Sequence, residues 1–92
     1  GRRHTYSREN GRKVEIFSNE HPPPHFRVTI KQSHANYTID NCERMNGSGD
    51  VLKAHRSIVR FWERHKKGLI EFWDATRTDD CTVGKYREAA RR

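Results

Sequence analysis

The fold of this chain is decided by residues 25–40, which read HFRVTIKQSHANYTID. Apolar and polar side chains alternate over Phe26–Lys31 and again over His34–Asp40, a period of two residues that is typical of strands with one buried face. The short connection Gln32-Ser33 predicts that the two strands form an antiparallel hairpin. The side chains predicted to face the core are Phe26, Val28, Ile30, Ala35, Tyr37 and Ile39, and those predicted to face solvent include His25, Arg27, Thr29 and Lys31.

A third strand precedes this hairpin. Val14–Asn19 opens with the β-prone run VEIF. His21-Pro22-Pro23-Pro24-His25 then interrupts the pattern, because proline has no backbone N–H to donate to a sheet. We therefore predict a three-stranded antiparallel sheet with one solvated face.

The hydrophobic period becomes helical after residues 46–50, which read NGSGD and are interpreted as a loop ending in the N-cap Asp50. Gly68 is predicted to end the first helix, and a second short helix runs from Leu69 to about Thr76. We expect both helices to pack on the sheet as a small two-layer α+β domain. The apolar stripes are Leu52, His55, Ile58, Val59 and Trp62 on the first helix, and Leu69, Ile70 and Trp73 on the second.

The two ends of the chain fall outside the predicted domain, which spans residues 14–76. Residues 1–13 carry five lysine and arginine side chains against Glu9 alone, so we interpret them as a flexible basic arm with a turn at Asn10-Gly11. Residues 77–92 are interpreted as a tail. A chain of 92 residues is one domain at most.

The chain is strongly basic, with a formal net charge of +7 and a pI near 9.9. This balance favours an acidic partner, namely nucleic acid, an anionic membrane surface or an acidic protein. No segment approaches the roughly 18 consecutive apolar residues of a membrane-spanning helix, so we expect no membrane partner. Cys42 and Cys81 lack a CxxC motif and are interpreted as reduced thiols of a cytoplasmic protein.

The densest cluster of reactive side chains is residues 16–28, IFSNEHPPPHFRV. This run resembles the signature of the bacterial and archaeal family known as domain of unknown function 4160. Trp62-Glu63-Arg64-His65 and the run Leu69–Trp73 are similar to the helical half of that family. The resemblance covers roughly Val14 to Thr76. It implies a small operon-encoded protein, with a neighbouring short gene product as partner in a pair resembling a toxin–antitoxin system.

The histidines of this cluster raise two hypotheses, metal binding and acid–base catalysis. His21 and His25 are separated by three prolines, which places their Cα atoms about 12 Å apart at about 3.1 Å per residue. Only a cis-proline turn could bring them together, so we expect no metal site and no other cofactor. A ribonuclease would use Glu20 or His21 as base, His25 as acid and Arg27 as phosphate clamp. The family often has a histidine where this chain has Arg27. The more favoured interpretation is structural, with Glu20 and His21 holding the strand end.

A row of basic side chains follows the predicted first helix at spacings of three and four residues. Such a row matches the footprint of a phosphate backbone, although an ordinary solvated face is an equal alternative. The arginine and lysine of the second strand, Arg27 and Lys31, add to this basic character. The row consists of Lys53, Arg56, Arg60, Arg64 and Lys67.

Three functions follow from these observations, in decreasing order of support. The first is a nucleic-acid-binding module, with RNA favoured. The second is a protein-interaction domain that docks a partner through the proline segment or a sheet edge. The third is a small metal-independent ribonuclease, so enzymatic activity is an open question on which the sequence leans towards no.

Overall fold

The computed structural model describes residues 2–18, 20–77 and 84–86 as one antiparallel sheet covered on one face by a long helix. The helix α1 spans His55–Ala75 and directly follows a 3₁₀ segment, Gly49–Ala54. The strands are joined in sequence order, each pairing with the next. They are β1 (Arg3–Glu9), β2 (Arg12–Phe17), β3 (His25–Ile30), β4 (Ser33–Thr38) and β5 (Arg44–Gly47).

The three central strands confirm the prediction from residues 14–40. β2 pairs with β3, and β3 pairs with β4 across a turn in which Lys31 has a φ of 56°. Phe26, Val28 and Tyr37 are fully buried, as the alternation predicts. His25 departs from the pattern, since only 8% of it is exposed although it was predicted to face solvent.

Residues 3–9 form an edge strand, so the prediction of a flexible arm over residues 1–13 is wrong. β1 pairs antiparallel with β2 through a turn at Asn10 and Gly11, whose φ values are 53° and 72°. Positive φ at both central residues matches the twist of a two-residue hairpin turn, and Asn-Gly is the pair that adopts it most readily. The predicted turn at Asn10-Gly11 is therefore confirmed, but β1, the strand that precedes this turn, was not predicted.

The sheet gains a fifth strand from residues interpreted in part as a loop. β5 pairs with β4 through Ala35↔Gly47 and Asn36↔Asn46. The chain can approach this closely because Gly47 has no side chain, and a Cβ atom there would lie 2.4 Å from the Cβ of Ala35. The sheet therefore has five strands, where the sequence predicted three.

One continuous helix replaces the two that were predicted, since α1 passes through Gly68 without a break. The start also differs, because Ser48 rather than Asp50 holds the cap position of the 3₁₀ segment. The core lies between α1 and the sheet. Its fully or almost fully buried apolar side chains are Val14, Ile16, Phe26, Val28, Ala35, Tyr37, Ile39, Cys42, Val51, Ile58, Phe61, Leu69 and Trp73.

The described residues after α1 pack against the domain, which corrects the prediction of a tail from residue 77. The Arg77 guanidinium lies 3.7 Å from the centroid of the Trp73 ring and donates to the carbonyl of Phe17 at 2.8 Å. Further on, the Tyr86 backbone N–H donates to Asp74 at 2.6 Å. Residues 78–83 and 87–92 of the predicted tail lie outside the described residues. No helix in the described part of the chain is long and apolar enough to cross a membrane.

Candidate nucleic-acid interface

Five exposed cations form a helical cationic row, one at the end of the 3₁₀ segment and four on the side of α1 that faces away from the sheet. They recur every three or four residues, which keeps them on one face of a helix with 3.6 residues per turn. The opposite face carries the buried side chains Ile58, Phe61, Leu69 and Trp73. The members of the row are Lys53, Arg56, Arg60, Arg64 and Lys67, and all five are exposed.

Most of this row has no acidic partner within the described part of the chain. Lys53 Nζ lies 3.9 Å from Asp50 Oδ1, and the other four cations form no ion pair there. Glu63 and Glu71 are exposed on the same helix but lie in none of these ion pairs. The row therefore carries a net positive charge, and Glu63 and Glu71, each four residues from Lys67, are its nearest counter-charges along the helix.

Lys31 belongs to this surface, although it comes from the sheet. Its Nζ lies 3.8 Å from Asp50 Oδ2, so Lys31 and Lys53 share one carboxylate. The turn between β3 and β4 thus lies beside the start of the helical segment. The structure therefore brings Lys31 together with the helical cationic row.

Arg27 does not join this surface. It lies on the face of β3 opposite to the core residues Phe26 and Val28, and hence on the side of the sheet away from α1. Its guanidinium lies 4.6 Å from the centroid of the Phe17 ring, and Nε lies 3.4 Å from Asn36 Oδ1. Arg27 and the helical cationic row therefore occupy opposite sides of the molecule.

The charges around Arg27 are partly balanced by a buried carboxylate. Glu15 pairs in register with Arg27 and is only 2% exposed. Arg3 Nε lies 3.5 Å from its Oε2, and Lys13 Nζ lies 3.8 Å from its Oε1. This arrangement gives the outer sheet face internal ion pairs, in contrast to the helical cationic row.

Sequence reasoning missed a second basic site, the hairpin-end cleft. The β1–β2 turn and the β3–β4 turn lie at the same end of the sheet, and between them is an open cavity of about 340 Å³. In a meander, alternate turns fall at the same end, so a correct count of strands would have placed these residues together. The cleft is lined by Arg8, Glu9, Gly11, Arg12, Lys13, Thr29 and Lys31.

His25, the candidate acid of the ribonuclease hypothesis, is buried. His25 Nδ1 donates to the carbonyl of Pro23 at 2.8 Å, and Nε2 lies 3.8 Å from Glu20 Oε1. The imidazole also contacts Trp73, with ring centroids 5.8 Å apart. His25 is thus held inside the fold by groups on three sides, which favours a structural role.

His21 takes no part in these contacts. It is exposed and forms no hydrogen bond or ion pair with the described residues. The peptide bond Pro22–Pro23 is cis. Within residues 2–18, 20–77 and 84–86, no group of three or more His, Cys, Asp or Glu side chains could hold a metal ion. Of the other residues named for a ribonuclease, Arg27 lies on the outer face of the sheet, with its guanidinium over the Phe17 ring.

A family model described as a domain of unknown function (DUF4160) matches residues 11–74. The match runs from the β1–β2 turn to the last turn of α1, well over half of the chain. It includes the helical cationic row and Lys31, whereas Arg8 of the hairpin-end cleft lies before it. No curated protein and no solved structure matches the chain.

Proposed function

The chain belongs to the DUF4160 family, and we propose that it binds nucleic acid through the phosphate backbone, with RNA preferred to DNA. The observation that carries this proposal is the helical cationic row together with Lys31. Four of these six cations have no acidic partner among the described residues, so they are available to an external anion. Such a surface supplies the counterion-release contribution that dominates affinity for nucleic acid.

The dimensions of the row suit a backbone. Lys53 and Lys67 are 14 residues apart in sequence, which corresponds to about 20 Å at about 1.5 Å per residue. A surface of this length reaches several successive phosphates, since duplex DNA carries one charge per about 1.7 Å of helix axis.

The scarcity of exposed apolar aromatic rings supports RNA duplexes over single strands. Met45 is the one large apolar side chain that is exposed in the described part of the chain, so no phenylalanine, tyrosine or tryptophan there forms an exposed platform for bases. Double-stranded RNA is recognised mainly by its shape and by contacts to phosphates and 2′-hydroxyls, which need no aromatic platform. The proposal is therefore backbone recognition with little dependence on base sequence.

The salt dependence of binding tests this proposal. Fluorescence anisotropy with labelled double-stranded RNA, single-stranded RNA and double-stranded DNA would give the affinity of each across a range of salt concentrations. We expect the logarithm of affinity to fall linearly with the logarithm of salt, and duplex RNA to bind most tightly. Arg60→Gln should lower the magnitude of the slope by about 1, as for one lost phosphate contact.

Arg44→Gln is the matched control. Arg44 is exposed on the edge strand β5, outside the helical cationic row, and forms no ion pair with the described residues. It removes the same charge, so it reports any effect of net charge alone. Equal slopes for Arg60→Gln and Arg44→Gln, or no binding at low salt, would overturn the proposal.

A second candidate function is the docking of a small protein, such as an operon-encoded neighbour in a toxin–antitoxin-like pair. The supporting observation is β5, whose four residues Arg44–Gly47 are all exposed at an edge of the sheet. Met45 is 43% exposed there, and an added strand could pair with the unpaired backbone of this edge. Co-purification with the neighbouring gene product in high salt would support docking, and Met45→Glu should then abolish it.

A further inference from the structure

We propose that the hairpin-end cleft binds the terminal phosphate of a nucleic-acid strand. This inference rests on the proposed function, since it assigns one end of the bound strand to a defined place on the protein. Four cationic residues and Thr29 line about 340 Å³ of open space in the cleft. The lining contains a single carboxylate, that of the exposed residue Glu9.

The two arginines of the cleft differ in a way that suits a binding site. Arg8 is exposed and forms no ion pair with the described residues, so its guanidinium can meet an anion. Arg12 is half-buried and oriented, because it donates to Ser57 Oγ and lies 5.5 Å from the centroid of the Phe61 ring. Neither of these contacts neutralises its charge. Because these contacts turn the Arg12 guanidinium towards α1, Arg12 adds positive charge beside the cleft, and Arg8 is the arginine that meets the anion directly.

The two lysines complete the charge of the cleft. Lys13 Nζ lies 3.8 Å from Glu15, and Lys31 Nζ lies 3.8 Å from Asp50, so each already has one carboxylate neighbour. Thr29 is the partner of Lys13 in the β2–β3 register, and its hydroxyl adds a neutral donor. The site therefore combines oriented charge with hydrogen-bond donors, as phosphate recognition requires.

The class of phosphate follows from charge and position. A terminal phosphate monoester carries about −1.5 to −2 charges at neutral pH, whereas each internal diester carries one, so a cluster of four cations favours the monoester. The cleft also adjoins the helical cationic row, because Lys31 shares Asp50 with Lys53 and Arg12 contacts Ser57. A strand that lies along the row can end in the cleft.

The test compares RNA duplexes of one sequence that end in a 5′-phosphate, a 3′-phosphate or hydroxyl groups only. We expect one phosphorylated form to bind the wild-type protein roughly tenfold more tightly than the hydroxyl form, as for one added charge-assisted interaction. The preferred end identifies the source of the phosphate. Arg8→Gln should reduce this ratio to about one, while the matched edge-strand variant Arg44→Gln should preserve it.

Substitutions in the helical cationic row and in the hairpin-end cleft should change the affinities for the three duplexes differently. Arg60→Gln should weaken all three duplexes equally and leave the ratio unchanged. If all duplexes bind the wild-type protein equally, the cleft proposal is overturned while nucleic-acid binding stands. If no duplex binds, the proposed function fails, and inorganic phosphate becomes the probe. NMR shifts at Gly11, Lys13 and Thr29 that Arg8→Gln removes would then support an anion site, and unshifted resonances would overturn it.

Discussion

The hydroxyl oxygen of Tyr6 occupies the place where a side chain on Gly68 would begin. A Cβ atom on Gly68 would lie 2.4 Å from that oxygen. The Tyr6 ring meets Phe61 and Phe72 edge-on, and its hydroxyl is hydrogen-bonded to His65 Nδ1 at 2.9 Å. Gly68 thus leaves the space on α1 in which the Tyr6 side chain of β1 packs.

The first prediction concerns Gly68→Ala. Alanine is the better helix former by about 1 kcal/mol, but overpacking against an enclosed tyrosine costs about 1–3 kcal/mol. We expect the free energy of unfolding in urea to fall by about 1 kcal/mol, because the Tyr6 ring is held by neighbouring aromatic rings and cannot move aside easily.

A Tyr6→Phe background provides the control for this prediction. Without the hydroxyl, the nearest ring atom to the new Cβ would be Cζ at 3.4 Å, an ordinary contact. Gly68→Ala should then be neutral or stabilising by up to about 1 kcal/mol. The same destabilisation in both backgrounds would show that the hydroxyl does not determine the choice of glycine.

Gly68 also shows where sequence reasoning about the fold reached its limit. A glycine in a helical pattern predicts a break when only local propensity is considered. Here the residue serves a tertiary contact with Tyr6, 62 residues away in sequence, which no local pattern reveals. The central strands β2, β3 and β4 could be predicted because each buries alternate apolar side chains.

The two edge strands lacked that signal. β5 is exposed at all four positions, so it has no hydrophobic alternation to detect. β1 is mostly polar, and its large inward-facing side chain is Tyr6 alone. Its residues therefore resembled a charged arm, although the Asn10-Gly11 turn already indicated a hairpin.

The second prediction separates a structural from a catalytic role for His25. His25→Ala removes the hydrogen bond to Pro23 and the contact with Trp73, so we expect a loss of about 1–3 kcal/mol in unfolding free energy. His21→Ala is the control, and its exposed side chain should change stability by less than about 0.5 kcal/mol. Thermal denaturation measures both. A folded His25→Ala protein of wild-type stability that has lost an RNA-cleaving activity would instead establish catalysis.

The third prediction concerns Glu15→Gln. The Glu15 carboxylate is nearly inaccessible and lies within 4 Å of Arg3 and Lys13, so its removal leaves these cations without their counter-charge. We expect the unfolding free energy to fall by about 1–3 kcal/mol, and the loss to shrink in high salt as repulsion is screened. Glu43→Gln, at an exposed position without an ion pair to the described residues, should have little effect. Equal effects of the two substitutions would contradict this account.

One part of the candidate interface could be predicted from the sequence, because it depends only on the local periodicity of a helix. The helical cationic row follows from helical spacing alone, because each member lies opposite the buried stripe. Arg27 was grouped with that row, yet the alternation of β3 already placed it on the sheet face away from the helices. The hairpin-end cleft needed the order of five strands, because it joins residues from two different turns.

The last prediction uses the buried thiol of Cys42. Burial and the nearby Glu63 carboxylate raise the pKa of this thiol from 9.0 to about 11. Because the folded state favours the protonated thiol, its contribution to stability is complete below about pH 9 and is lost as the pH rises towards about 11. Wild-type protein should therefore lose about 1–3 kcal/mol more than Cys42→Ala over that interval, measured by urea unfolding at each pH.

The comparison with Cys42→Ala is needed because burial also raises the pKa values of Tyr6, Tyr37 and Tyr86, which contribute to alkaline unfolding in both proteins. Both proteins should carry Cys81→Ser, so that Cys42 is the one thiol that can ionise in the protein that retains it. Their stabilities should keep a constant difference below about pH 9 and converge above it, because only the wild-type protein must bury a group that has begun to ionise. Parallel curves up to pH 11 would mean that the Cys42 thiol ionises as readily in the folded protein as in the unfolded chain.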